Sequence, residues 1–310
     1  MTLWPSYLCI NKNNQNGKKG FFETGIIRNW HLRHLGYRHQ CFANNIDDIS
    51  GLKPMLLDHL GFNHLPNTNS KIMANTVLHK ADTRGVADHG WLNSKHTFSF
   101  ANYYNPERMH FGVLRVLNDD TVSGGMGFGT HPHDNMEIIS IPLSGDLEHK
   151  DSMGNVAVIR NGDIQVLSAG TGIKHSEYNK NQEAEVKFLQ IWVFPNKQNV
   201  TPRYDQITLN LEDRKNKLQQ ILSPNVDDAG VWIHQDAWFH LADFDKGTST
   251  TYQFKKSGNG LYIFNLKGDL IVNEQLINTR DGLGIWDTDS ITITAESDAE
   301  FLMMEVPMSV

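Results

Sequence analysis

Between Phe111 and Phe194 the chain passes through short runs rich in Val, Ile, Leu and Phe: FGVLRVL, MEIISIPL, VAVIR, DIQVLSA and VKFLQIWVF. Gly, Asn or Asp residues break the chain between them. Apolar runs of this length, closed by turn formers, predict β-strands, and many at short spacing predict an all-β sandwich or barrel. A second β-rich block extends from about residue 225 to the C-terminus. The stretch between them, Thr201 to Pro224, is bounded by Pro202 and Pro224 and charged in its middle, and it reads as a linker. Met73 opens MANTVLHKADTRG, a predicted strand leading into aromatic-rich loops. Residues 1–72 carry an Asn/Lys/Gly tract and His31, His34 and His39 but no sustained period of 2 or 3.6, so no fold is expected there. The expected organisation is an unstructured leader (1–72), a first β domain (73–200), a linker (201–224) and a second β domain (225–310).

The two blocks read as copies of one unit. Leu143-Ser-Gly-Asp-Leu147 matches Leu266-Lys-Gly-Asp-Leu270, and the closing runs VKFLQIWVFP and AEFLMMEVP also correspond. Carrying that offset back aligns His131 and His133 with Phe254 and Lys256. Aligning Gly162 with Gly282 sets His175 and Glu177 against Ala295 and Ser297. The second copy keeps the strand pattern and lacks these polar residues.

Those residues form the chemical signal. Gly125 to Glu137 reads GMGFGTHPHDNME, and His175-Ser-Glu177 follows a Gly-rich turn, SAGTGIK. On strands, period 2 places His131 with His133 on one face and His175 with Glu177 on one face. Three imidazoles and a carboxylate leave open positions on a six-coordinate divalent metal, unlike a closed thiolate cage. Glu137 competes for the carboxylate role. Period 2 from His133 brings it to the ligand face only if the strand stays regular through residues 134–136, so Glu177 is the expected ligand and Glu137 a supporting or structural residue. His79, His89, His96, His110, His149, His234 and His240 lack a partner at ligand spacing and are read as surface or packing residues. Trp91, Phe98, Phe100, Tyr103 and Tyr104, like Phe128 and Trp192, are read as packing.

Composition narrows the function. The only cysteines, Cys9 and Cys41, lie in the leader, so any metal site after residue 72 uses N and O ligands. Residues 1–72 hold 8 Lys+Arg against 4 Asp+Glu, leaving 20 against 31 in the remainder, a body of net charge −11. An acidic body with no basic stripe argues against direct nucleic-acid binding. No apolar run reaches the roughly 18 residues of a membrane span, and the first residues reverse the order of a secretory signal, so a cytoplasmic location without membrane association is expected. A GxG within Gly124–Gly129 is followed by no helix pattern, and no GxSxG is present, which removes nucleotide binding and serine hydrolysis from consideration.

The stretches GFGTHPHDNMEI, SAGTGIKHSEYN, HTFSFANYYNP, VTPRYDQ and DGLGIWDTDSITITAES resemble pirin-family bicupins, and the resemblance runs from Met73 to Val310. The leader has no counterpart in it. Met73 is therefore the expected native start, an expectation that the intact mass of the natively expressed protein checks, a species beginning at Met1 overturning it. The cupin pattern G-x5-H-x-H-x3,4-E-x6-G is met by Gly125, His131, His133 and Glu137, with Gly145 one residue late. The resemblance implies two jelly-roll-like barrels. It implies one divalent transition metal per chain on His131, His133, His175 and Glu177 of the N-terminal barrel, and an empty C-terminal barrel. Iron(II) is favoured over manganese, cobalt, nickel and copper. The implied activity is cleavage of flavonols such as quercetin with O2 and release of carbon monoxide, Glu177 taking the proton of the flavonol 3-hydroxyl. The alternative from the same resemblance is a non-catalytic, redox-sensitive protein-interaction or transcription cofactor, with protein partners in place of a substrate.

Overall fold

The computed structural model describes residues 74–310; the expected leader and its cysteines lie outside them. Strands β1 (Asn75–His79), β2 (Gly85–Asp88), β3 (Leu92–His96), β4 (Leu114–Val122), β5 (Gly127–His133) and β6 (Glu137–Ser144) come first. They are followed by β7 (Asp146–Asp151), β8 (Val156–Arg160), β9 (Asp163–Ser168), β10 (Ile173–Asn179), β11 (Val186–Val193) and β12 (Arg203–Thr208). The second half holds β13 (Gln219–Ser223), β14 (Val231–Trp232), β15 (Trp238–Phe244), β16 (Ser249–Gln253) and β17 (Asn259–Lys267). It closes with β18 (Leu270–Val272), β19 (Gln275–Ile277), β20 (Gly282–Trp286), β21 (Ser290–Ala295) and β22 (Ala299–Pro307). No helix among the described residues is long and apolar enough to cross a membrane.

Each half pairs a seven-stranded sheet with a four-stranded one. The orders β12-β9-β6-β11-β4-β3-β2 and β5-β10-β7-β8 are matched by β1-β20-β17-β22-β15-β13-β14 and β16-β21-β18-β19, except that β14 runs parallel to β13 where β2 runs antiparallel to β3. The match makes β1 the counterpart of β12: the first described strand completes the second barrel by pairing with β20. The segment read as a linker, 201–224, instead carries β12, paired with β9, and β13, paired with β15. Its composition misleads because β12 is an outer strand whose residues all retain some exposure, and the prolines sit beside strand ends, where no ladder N–H is required.

Period-2 alternation divides the large sheets into two faces. In β6, Ile139 and Ile141 face outward and join Leu117, Ile164, Leu189 and Ile191 against Phe239, Tyr262, Leu302 and Met304 of the second half. The large sheets thus pack face to face, and each fully buried aliphatic or aromatic side chain there contributes about 1.5–3 kcal/mol. The second barrel has an apolar interior, formed from residues such as Phe244, Leu261, Ile291 and Phe301. The first does not. Its interior apolar residues fall into two small clusters, one around Leu147 and Phe188, the other around Ile138 and Leu167.

Pairing in the small sheets corrects the repeat alignment. Leu147 faces Asn179 across β7 and β10, and its counterpart Leu270 faces Ala295 across β18 and β21. His175 and Glu177 therefore correspond to Ile291 and Ile293, both fully buried and apolar, in place of Ala295 and Ser297.

Glu137 stands on the outward face of β6, with Ile139 and opposite Val193. Asn135, at φ +44°, ends the regular strand after His133, so alternation does not carry from His133 to Glu137. The carboxylate is 1% exposed and accepts a 2.6 Å hydrogen bond from Ser168 Oγ. Burial raises its pKa from 4.5 to about 7, although the Ser168 bond, the charge of Arg203 and the His234 backbone all oppose the shift. Between those two values the native state keeps a proton that the unfolded chain has released. The Glu137 contribution to stability is therefore expected to fall as pH rises from about 4.5 to about 7, by about 3 kcal/mol, and to level off above. Urea unfolding between about pH 5 and pH 8 should show the stability of wild type falling relative to that of Glu137→Gln as pH rises. The two share a background in which the buried Asp120, raised to about 7, adds a decline and the buried histidines, lowered to about 3 or 4, add an opposing rise. Equal slopes in the two proteins would contradict this account.

Candidate metal centre

β5 and β10 are antiparallel neighbours in the first small sheet, with His131 opposite His175 and His133 opposite Ile173. From Glu177 to His175 β10 advances two residues while β5 advances three, from Phe128 to His131. Strict alternation would put Phe128 and His131 on opposite faces; the extra residue, a bulge, turns both inward. Phe128 then packs edge-on against Trp91 at 5.6 Å. At Gly127 a Cβ would fall 2.3 Å from the Glu177 carbonyl oxygen, so the strands approach too closely there for any side chain.

His131, His133 and His175 place ligand-capable atoms within 4.8 Å of one another. Their ring centroids are 4.4 to 4.9 Å apart. His131 Nδ1 lies 2.7 Å from the Gly129 carbonyl, which only accepts, so Nδ1 carries the proton and Nε2 is left with a free lone pair. His133 Nε2 and both ring nitrogens of His175 are buried without a hydrogen-bond partner. Burial, with neighbouring imidazoles adding to it, holds His133 and His175 at a pKa of about 3. Both rings are therefore neutral at physiological pH, as metal ligation requires. Buried, neutral imidazoles with unpartnered nitrogens converging on one point fit a divalent transition metal.

Glu177, 2% exposed, belongs to a second group. Its ligand-capable atoms lie within 4.8 Å of His175 and His149, and the two groups share His175 without merging into one set. The carboxylate is gripped at both oxygens: Gln190 Nε2 donates to Oε2 at 2.7 Å and Ser140 Oγ to Oε1 at 3.1 Å. These donors come from the inward face of the large sheet, opposite to the face that carries Glu137. Among the described residues, both groups capable of holding a metal lie in the first barrel.

His149 corrects its sequence reading as a surface or packing residue. It is fully buried on β7, opposite Glu177, with its ring 5.4 Å from His175. Nε2 lies 3.1 Å from Asp151 Oδ2 and so donates to it, leaving Nδ1 an unpartnered acceptor beside His175. The signal was present as His149-Lys-Asp151, a His-x-acid pair at strand spacing, within a run too polar to be read as a strand. His79, His96 and His240 are likewise buried. The aromatic group separates: Phe98 enters the core between the barrels, Tyr104 is 73% exposed, and Phe100 packs edge-on against Trp192.

Two barrels of matched strand order, with a histidine-rich centre on the small sheet of the first, define a bicupin. Residues 78–193 match the family described as Pirin, and residues 220–306 match the quercetinase C-terminal cupin domain. The chain is 44% identical over 230 residues to quercetin 2,3-dioxygenase of Escherichia coli, covering 74% of this chain and 98% of that protein. It is 42% identical to the pirin-like protein of Caulobacter vibrioides, covering 72% and 96%. The protein belongs to the pirin family. The crystal structure of YhhW from Escherichia coli superposes with a TM-score of 0.73 at 43% identity, covering 76% of this chain and 99% of that one. The nickel(II) complex of that bacterial pirin superposes at 0.72 and 42%, covering 76% and 100%.

His149 makes no hydrogen bond to His175, but its buried ring packs 5.4 Å from that of His175 and limits how the ligating imidazole can turn. His149→Ala is expected to weaken nickel binding about 10- to 100-fold in a chelator competition titration, measured under conditions where the variant, destabilised by loss of a buried side chain, is still folded. Undiminished affinity would leave His149 a packing residue.

Proposed function

We propose that the protein is a metal-dependent dioxygenase that opens flavonols such as quercetin with O2 and releases carbon monoxide. In this reading one divalent transition metal is held by His131, His133 and His175, with Glu177 completing the set, and iron(II) is the preferred ion. The observation that carries the proposal is the convergence of three imidazoles, His175 buried and His131 and His133 half-buried, with buried unpartnered nitrogens on His133 and His175, beside a clamped carboxylate. Kinship to a protein named quercetin 2,3-dioxygenase supports the reaction class, and a relative's nickel(II) complex supports divalent ions as occupants.

When bound, the metal supplies a Lewis acid with open positions, which acidifies a chelating hydroxyl and brings O2 and substrate together. The chain supplies the rest. Glu177 accepts the proton of the flavonol 3-hydroxyl as general base. Ser140 and Gln190 hold the carboxylate plane in place, so that little reorganisation accompanies the transfer. Trp192, edge-on to His133 at 4.9 Å, and the apolar cluster around Ile138 keep bulk water from the reacting edge. The second barrel, with apolar residues where the first has His175 and Glu177, acts as a support in a cytoplasmic protein whose partners are a small aromatic substrate and O2.

Anaerobic purification with elemental analysis, followed by quercetin turnover and carbon monoxide detection, tests the proposal. His133→Ala is expected to lose both metal and turnover, and Glu177→Gln to lose about 10²- to 10⁴-fold in kcat. Loss of metal without loss of turnover would defeat it, and full flavonol cleavage by Glu177→Gln would remove the base.

A further inference from the structure

The first barrel contains more buried polar groups than a metal site uses. Register across its large sheet sets His96 opposite Asn118, Asn118 opposite Gln190, Gln190 opposite Ser140, Ser140 opposite Gln165 and Gln165 opposite Gln206. One transverse row is thus polar across six strands. The equivalent row of the second barrel runs Gln220, His240, Met303, Ile263, Leu283 and Leu78, and is apolar over its last four strands. Polarity over the last four strands is therefore not a requirement of the fold, while the two positions at the other end are polar in both barrels, His96 and Asn118 in the first and Gln220 and His240 in the second.

The middle of the row is accounted for by Ser140 and Gln190, which hold Glu177. Gln206 bonds to the Val158 carbonyl and to Asp163. His96 and Asn118 are each 3% exposed, and His96 Nδ1 and Asn118 Oδ1 have no partner. Trp192 lies on the same face of β11, opposite Val116 and diagonal to Asn118, and its Nε1 is also buried and unpartnered. Edge-on aromatic contacts join this end of the row to the metal centre: His96 to Phe100 at 5.2 Å, Phe100 to Trp192 at 5.3 Å, Trp192 to His133 at 4.9 Å. Buried polar groups are normally paired, so three orphans along one aromatic wall mark a place where a ligand supplies the partners.

We propose that His96, Asn118 and Trp192 form a substrate-reading edge that hydrogen-bonds the hydroxyls of an aromatic substrate at the end remote from its metal-chelating oxygens. This rests on the reading of the site as a flavonol dioxygenase and adds the part of the substrate that is selected. The indole N–H only donates, the Asn118 carbonyl only accepts, and His96 Nδ1 does either according to its tautomer. A phenolic hydroxyl is at once donor and acceptor and satisfies such a set. A bare phenyl edge displaces water and leaves all three groups buried and unpaired, so hydroxylated rings are preferred.

The test is anaerobic binding of quercetin and of galangin, which lacks the pendant-ring hydroxyls, to the nickel-loaded protein. Wild type is expected to bind quercetin about tenfold more tightly or better. Asn118→Leu and His96→Phe should each bring the ratio towards one, with nickel content and galangin affinity held within about twofold. A ratio near one in wild type, or an undiminished ratio in both variants, overturns the edge. Parallel loss of both flavonols in both variants would mark the residues as structural and equally overturn it. Discrimination without carbon monoxide release from quercetin would leave the edge standing and remove the dioxygenase reading; release without discrimination would do the reverse.

Discussion

Face-to-face packing of the two large sheets is the constraint on which the rest of the molecule depends. A barrel interior ordinarily supplies most of a β domain's apolar burial. Here the first barrel has given much of its interior to histidine, carboxylate, amide and hydroxyl groups, leaving two small apolar clusters. Groups buried this way add little net stability even when paired, and cost stability when unpaired. The deficit is offset outside the barrel, where Ile139, Leu189 and Ile191 meet Phe239, Tyr262 and Leu302. The second barrel, with its apolar interior, is the rigid body against which this packing occurs. The worn copy is what permits the first copy to be polar inside.

The same constraint explains Glu137. A strand shared between two cores has no solvent face, so a carboxylate on β6 must point either at the site or at the interface between the barrels. Alternation set by Ser140, which reaches inward to Glu177, sends Glu137 to the interface. There burial favours its protonated form, a property of packing, while the carboxylate beside the imidazoles comes from β10.

Much of the fold was legible because strands with one or two buried faces announce themselves as alternating or continuous apolar runs, as β6, β9 and β11 do. The imidazoles were legible because His131-x-His133 and the pair at 175 and 177 sit at strand period, although the bulge that turns His131 inward leaves no periodic trace. β7 was hidden because Asp146 to Asp151 is almost wholly polar, and His149 went with it. β12 and β13 were hidden by flanking prolines, and β12 also by its exposed edge. The repeat alignment slipped because it was anchored on a glycine, and only ladder pairing shows that Ile291 and Ile293 replace the ligand pair. The polar row was invisible for a deeper reason: its six residues are adjacent only through hydrogen-bond register, with no spacing in the chain that joins them.

His131, His133, His175, Glu177 and His149 all project from the small sheet, whereas His96, Asn118, Ser140, Gln165 and Gln190 all project from the large one. The two sheets meet across the interior and share no strand. Changes in one can accumulate without disturbing the backbone of the other. Ser140 and Gln190, which reach from the large sheet to Glu177, and Trp192, which packs on His133, tie the two together, so residues of the large sheet's inner face outside such contacts are free to vary without touching the histidine cluster.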